Sequence, residues 1–210
     1  MDLYYAPLAC SFASHLLIRE SGLSVNLIPV SLSRKELHTG INFLDVAPQG
    51  QVPVLRFDDG RLLTENSAVL QALARKASAE GAPGLLPEAG TRAHDETLEW
   101  LSFIGTEIHK QCLYPMFQRD APGEVKAWSR SRLPGKLRTV ASRLEGRRFL
   151  TGDRFTVADA YLAWALMLCE QTGTGVLGLE GLSAYWTHIK ARPTFGQCFA
   201  HEARLHKSMA

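Results

Sequence analysis

The sequence lacks four things, and each lack argues against a class of protein. It lacks a large charge excess: 23 Lys and Arg stand against 21 Asp and Glu, a net charge of +2 with seven histidines neutral. A nucleic-acid-binding domain that works through a basic field gets no support from that balance. It lacks a long apolar run. The nearest, VADAYLAWALMLC at 157–169, carries Asp159 and is too short to span a bilayer, so it reads as a core helix. It has only four cysteines, at 10, 112, 169 and 198, with no paired metal-ligand spacing and no C-x-x-C. The start also lacks a basic segment followed by an apolar block, so no secretion signal is expected. Reduced thiols in a cytoplasm, no membrane, no nucleic acid and no metal are the expectations. What is present, 46% hydrophobic and 21% charged residues, is enough for a sizeable core in one large or two small domains.

The chain divides by pattern. DLYY (2–5) reads as a strand broken by Pro7. Residues 11–20 read as a helix stopped by Gly22. VNLIPVS (25–31) reads as a strand pushed towards a sheet edge by Pro29. QVPVLRF (51–57), an Asp-Gly turn and RLLT (61–64) read as a hairpin, followed by a helix from 65 to about 76. The Gly-, Ala- and Pro-rich stretch at 78–90 reads as a linker. Helical patterns then run over 91–112, 124–145, 156–171 and 182–191. Within GDRFTVADA, Thr156 and Asp159 have the spacing of a capping box, a structural feature.

Four places can carry chemistry. Cys10 stands where a strand gives way to a helix; the positive end of a helix favours thiolate, whereas burial would make it a small core residue. Position alone leaves these even. Ala13 stands where a dithiol enzyme has its second cysteine, so any redox cycle needs an outside thiol. Pro53 in QVPVL removes a ladder donor and leaves Val52 backbone groups for an added peptide strand, or simply marks a strand start. Glu65, Asn66 and Ser67 open a helix, where N–H groups bind carboxylate and Glu65 can meet an ammonium; plain capping is the alternative. Ser102, Thr106 and His109 share one face of an α-helix, beside an apolar face of Leu101, Ile104 and Ile108. Such a stripe can hold a substrate, or simply be solvated.

Taken in order, these features resemble the glutathione transferases over essentially the whole chain. The segments that carry the resemblance are LYYAPLACS, GLSVNLIPVSL, APQGQVPVLRFDDGRLLTEN, EWLSFIGTEIHK and GDRFTVADAYL. Cys10 with His109-Lys110 narrows it to the bacterial beta class. The resemblance implies an α/β thioredoxin-like N-terminal domain over 1–78, a linker over 79–90, and an all-helical domain over 91–210 with an electrophile pocket. It implies a cis peptide before Pro53. It implies that glutathione is the co-substrate: Val52 and Pro53 meet its cysteinyl part, Glu65 and Asn66 its γ-glutamyl group, and Lys35 its glycyl carboxylate. Cys10, Ser11 and His109 would surround its sulfur; Ser102, Thr106 and Glu107 would complete the site in a homodimer. Phe117, Tyr114 and Trp164 would line the pocket, and Tyr5 would be structural. The reaction implied is conjugation to an apolar electrophile. Alternatives are a monothiol disulfide reductase or peroxidase acting through Cys10, and a non-catalytic binding module. Four positions depart from the usual pattern: Leu8 for Gly, Ser14 for Pro, Asn66 for a small residue and Ser102 for Asn. Cys112 is an addition near the expected cleft.

Overall fold

The computed structural model describes residues 1–82, 84–174 and 178–209. Pro83, one residue of the expected linker, lies outside the described residues. The chain forms two units, Met1–Pro83 with Arg192–Ala210, and Gly84–Ala191.

The first unit is built on a five-stranded mixed sheet in the order β3-β2-β1-β4-β5. Strand β1 (Asp2–Tyr5) lies at its centre, parallel to β2 (Asn26–Ser31) and antiparallel to β4 (Val54–Arg56), with Leu3 level with Leu27 and Leu55. Leu3, Tyr4 and Tyr5 are buried, as a central strand requires. Strand β2 is not an edge strand despite Pro29. The two-residue strand β3 (Glu36–Leu37) pairs outside it at Val30 and Ser31, beyond the proline, so no lost donor opposes it. The expected hairpin joins β4 to β5 (Leu62–Leu63), with Gly60 at φ 84° in its turn.

Helix α1 (Phe12–Ser21) is buried at seven successive residues, Phe12 to Ile18. A helix covered on all sides has no exposed face to alternate with. The cover comes from β1, from α2 (Asn66–Ala79) and from a helix that begins at Pro193. Gly22 ends α1 in the left-handed region, as its sequence signal implies.

In the second unit the helices are α3 (Arg92–Phe103), α4 (Tyr114–Phe117), α5 (Gly123–Leu144), α6 (Val157–Gln171) and α7 (Glu180–Lys190). A π-helical segment, Ile104–Leu113, joins α3 to α4. Helix α6 is the core helix expected of VADAYLAWALMLC, buried from Val157 to Met167. No helix among the described residues is long and apolar enough to cross a membrane. The last helix, α8 (Pro193–Met209), belongs to the first unit, where the Arg192 guanidinium donates to Glu20 of α1 at 2.8 Å.

The capping box is present, and it does more than cap. The buried Asp159 carboxylate accepts from the Thr156 N–H at 2.9 Å, the Thr156 hydroxyl at 2.9 Å, the Leu150 N–H at 3.0 Å and the Tyr185 hydroxyl at 3.0 Å. It ties the loop before α6 and the side of α7 to the start of α6. Burial pushes its carboxyl up against these four donors, which favour the ionised form. Asp159→Ala takes this acceptor from four donors in the core, so urea unfolding should show a loss of about 3 kcal/mol. Asp159→Asn, which keeps an acceptor, should lose less. An unchanged midpoint for the alanine variant would refute the hub.

Candidate active site

The first unit gathers one set of groups around the turn from Ala6 to Ser11. The Ser11 hydroxyl is fully buried; it accepts from the Ala6 N–H at 3.1 Å and donates to the Ala6 carbonyl at 3.2 Å. Its visible task is therefore to close this turn. Leu8 sits at φ 63°, a left-handed conformation that explains why glycine suits this position. Its N–H donates at 2.7 Å to Glu202 of α8, a fully buried carboxylate. The other oxygen of Glu202 meets His15 Nδ1 of α1 at 2.8 Å. Arg19 Nε donates to His15 Nε2 at 3.4 Å, so Nδ1 is the nitrogen that carries the proton. Burial pushes the Glu202 carboxyl up, against the His15 and Leu8 hydrogen bonds. The Tyr5 hydroxyl meets His201 Nε2 of α8 at 3.0 Å, a structural contact within this network.

Cys10, half-buried, directs its thiol to the Val52 carbonyl at 3.2 Å, a contact that only the protonated thiol makes. Val52 precedes Pro53 through a cis peptide bond, as the resemblance implies. Two residues before Val52, the Gly50 carbonyl accepts from Lys35 Nζ at 2.8 Å, which leaves the ammonium further donors. On the other side, the Cys10 carbonyl accepts from Asn66 Nδ2 at 3.2 Å, and Asn66 is the first residue of α2. Glu65, exposed just before it, has φ 68° and ψ 121°, a conformation that non-glycine residues rarely adopt. Such strain is stored where the surroundings enforce it and gathers at functional sites. Cys10, Ser11, Lys35, Val52, Pro53, Glu65 and Asn66 thus belong to one neighbourhood.

In the second unit the expected shared face does not hold. The i→i+5 winding of Ile104–Leu113 puts more residues in each turn than an α-helix, so a spacing of four still aligns side chains but the further step of three turns His109 off the face of Ser102 and Thr106. Ser102, Thr106 and Lys110 are exposed, whereas His109 is buried. Thr106 donates its hydroxyl to the Ser102 carbonyl at 2.9 Å. Glu107 is paired with Lys136 of α5. His109 packs edge-on against Trp164, ring centres 4.5 Å apart, with Tyr114 at 6.4 Å. Its Nδ1 lies 2.7 Å from the Tyr161 hydroxyl. Burial, helped by the Lys110 charge, pushes the imidazole down to about 3. His109 is therefore neutral at any working pH, a polar donor or acceptor and not a cation. Cys112 is fully buried and burial pushes its thiol up, so it offers no thiolate. Phe117 is exposed.

Sequence reasoning missed Glu202, His15 and Tyr161, and met Ser14 only as a departure from the usual pattern. Helix α8 had a signal in Pro193, a favoured first-turn residue, followed by Phe195, Cys198 and Glu202 on one stripe. A glutamate within an apolar stripe calls for a buried partner.

The first unit has a thioredoxin-like fold beside a helical second unit, and comparison with known proteins gives its family. Residues 9–76 match the family model of the glutathione S-transferase N-terminal domain, and 105–193 that of the C-terminal domain. The chain is similar to glutathione S-transferase GstA of Escherichia coli O157:H7, 40% identical across 92% of this chain and 94% of that one. It is similar to glutathione S-transferase GST-4.5 of Xanthomonas campestris, 32% identical over 91% and 93%. Among solved structures it is similar to the bacterial transferase BphK in a ternary complex, with TM-score 0.90, 34% identity and 97% and 100% coverage. A sphingomonad glutathione S-transferase complexed with glutathione gives TM-score 0.89, 34% identity and 97% and 99% coverage. The chain belongs to the glutathione S-transferase family of enzymes, and within it to the bacterial beta class.

The neutral histidine has a measurable consequence. Its folded value of about 3 lies below the unfolded value of 6.5, so the unfolded chain binds more protons between the two. Its contribution to stability is complete above pH 6.5 and is lost as pH falls towards 3. Stability measured against pH over that window should fall less steeply for His109→Phe than for the natural chain. Parallel curves would contradict a buried neutral imidazole.

Proposed function

We propose that the protein conjugates the thiol of glutathione to apolar electrophiles. The single observation that carries this is the order of groups along the Cys10 neighbourhood. Lys35, Val52, Cys10 and the start of α2 follow one another through the hydrogen bonds already described. Glutathione presents a carboxylate, a peptide-linked cysteine and a γ-glutamyl head group in the same order. Lys35 takes the glycyl carboxylate as a point charge. The Val52 backbone, beside the Pro53 ring, pairs with the cysteinyl residue as an added strand does. The N–H groups at the start of α2 take the α-carboxylate and Glu65 the ammonium.

The sulfur then lies at the Cys10 end of α1, where the helix dipole favours thiolate. The thiol proton leaves to solvent. The thiolate attacks the electrophilic carbon; the carbon–sulfur bond forms as the leaving group departs with its electron pair. In the second unit the aromatic cluster of His109, Tyr114 and Trp164, together with the exposed Phe117, is assigned to the electrophile. His109 serves as a neutral hydrogen-bonding group through Nε2, its Nδ1 being engaged by Tyr161. The enzyme is assigned a homodimeric state and a reducing cytoplasm, with which four cysteines outside any disulfide agree.

Calorimetric titration with glutathione should show binding, and absence of heat at millimolar ligand would sink the reading. Lys35→Met should raise the glutathione KM roughly ten-fold with kcat nearly unchanged, the signature of a lost charge-assisted contact to the ground state. Cys10→Ala separates conjugation from thiol–disulfide exchange. Conjugation should survive, and any reduction of glutathione mixed disulfides should disappear. Loss of both would make Cys10 part of the conjugation chemistry.

A further inference from the structure

Two of the positions at which this chain departs from its family pattern touch each other. Ser14, in the first turn of α1, donates its hydroxyl to Asn66 Oδ1 at 3.0 Å. Asn66, at the first position of α2, sends its other amide atom, Nδ2, to the Cys10 carbonyl at 3.2 Å. Ser14 is fully buried and Asn66 is 5% exposed. A buried hydroxyl or amide left without a partner is destabilising, and here the two departures satisfy each other. Neither would be well served beside the proline or small residue it replaces.

The Asn66 amide is planar, and both of its ends are bonded to α1 or to the turn before it. Its orientation is therefore fixed from two sides. The Cys10 carbonyl in turn accepts from the Ala13 N–H at 3.2 Å, so the same atom joins the first turn of α1 to the first residue of α2. Both ends of the Asn66 side chain are thus committed to the protein interior.

We propose that Ser14 and Asn66 form one positioning unit. It sets the separation between the thiol subsite at the start of α1 and the head-group subsite at the start of α2. This deepens the reading of the site as a glutathione site and rests on it. Asn66 is the member that grips Cys10; Ser14 acts only by fixing the Asn66 amide. The order of action gives an asymmetric expectation.

A double-mutant cycle of Ser14→Ala and Asn66→Ala tests it, with glutathione KM and kcat, melting temperature, and the rate of Cys10 alkylation by iodoacetamide as readouts. Asn66→Ala should raise the glutathione KM about five-fold, the factor that one neutral hydrogen bond supplies, with kcat changed much less. Ser14→Ala should raise it by a smaller factor, and should add nothing in the Asn66→Ala background. Equal and multiplicative effects, or a lower melting temperature with KM unchanged, would overturn the proposal. The alkylation rate separates its failure from that of the glutathione reading, since it needs no glutathione. If the natural chain binds no glutathione, an alkylation rate shifted in Asn66→Ala and not shifted further by Ser14→Ala still supports the positioning unit. An alkylation rate equal in all four proteins rejects it.

Discussion

A short turn without repeating structure, Ala6 to Ser11, must hold a thiol in one place, and much of the first unit's polar chemistry serves that demand. The turn is gripped from several elements. Ser11 closes it through Ala6, Glu202 of α8 takes the Leu8 N–H, Asn66 of α2 takes the Cys10 carbonyl, and Val52 receives the thiol. Glu202 is the costliest of these grips. A buried carboxylate is tolerable only with partners, and His15 and the Leu8 amide are what it has. The cost of holding Leu8 in a left-handed conformation is met by the same bond. Turn and buried pair thus stabilise each other, which is why the last helix of the chain belongs to its first unit.

What could be read from the sequence was what depends on neighbours. The Thr156–Asp159 box, the Gly22 stop and the Asp-Gly hairpin are local, and each appears where its pattern stands. The place of Cys10 at the junction of β1 and α1 is likewise local. The Glu202 pairings are not. They span 187 and 194 residues, and in a helical pattern a buried glutamate looks like any exposed one. The sheet position of β2 escaped for a related reason: a proline rules out a donor at one residue, and β3 pairs at the next two.

His109 departs from the face assigned to it with Ser102 and Thr106 because a helical pattern was read with the wrong period. Nothing in IGTEIHKQCL announces i→i+5 winding; the same apolar spacing satisfies an α-helix. The consequence is chemical as well as geometric. On an exposed stripe His109 would have titrated near neutrality and could have offered a charge to a thiolate. Buried among Trp164, Tyr161 and Tyr114 it is an uncharged group. In the proposed reaction, stabilisation of a thiolate then falls to the end of α1, whose dipole does not depend on pH.

Departures from a family pattern are often read one by one, each as a loss. Asn66 and Ser14 show why that fails in a packed interior. Each alone would leave a buried polar atom without a partner; together they make a bond, and the amide has a hydrogen left for the Cys10 carbonyl. A small residue after Glu65 would lack the bond to the Cys10 carbonyl. Here a hydrogen-bonded amide makes the link directional, and direction is what a site needs when a thiol and a charged head group on the same ligand must be met at once.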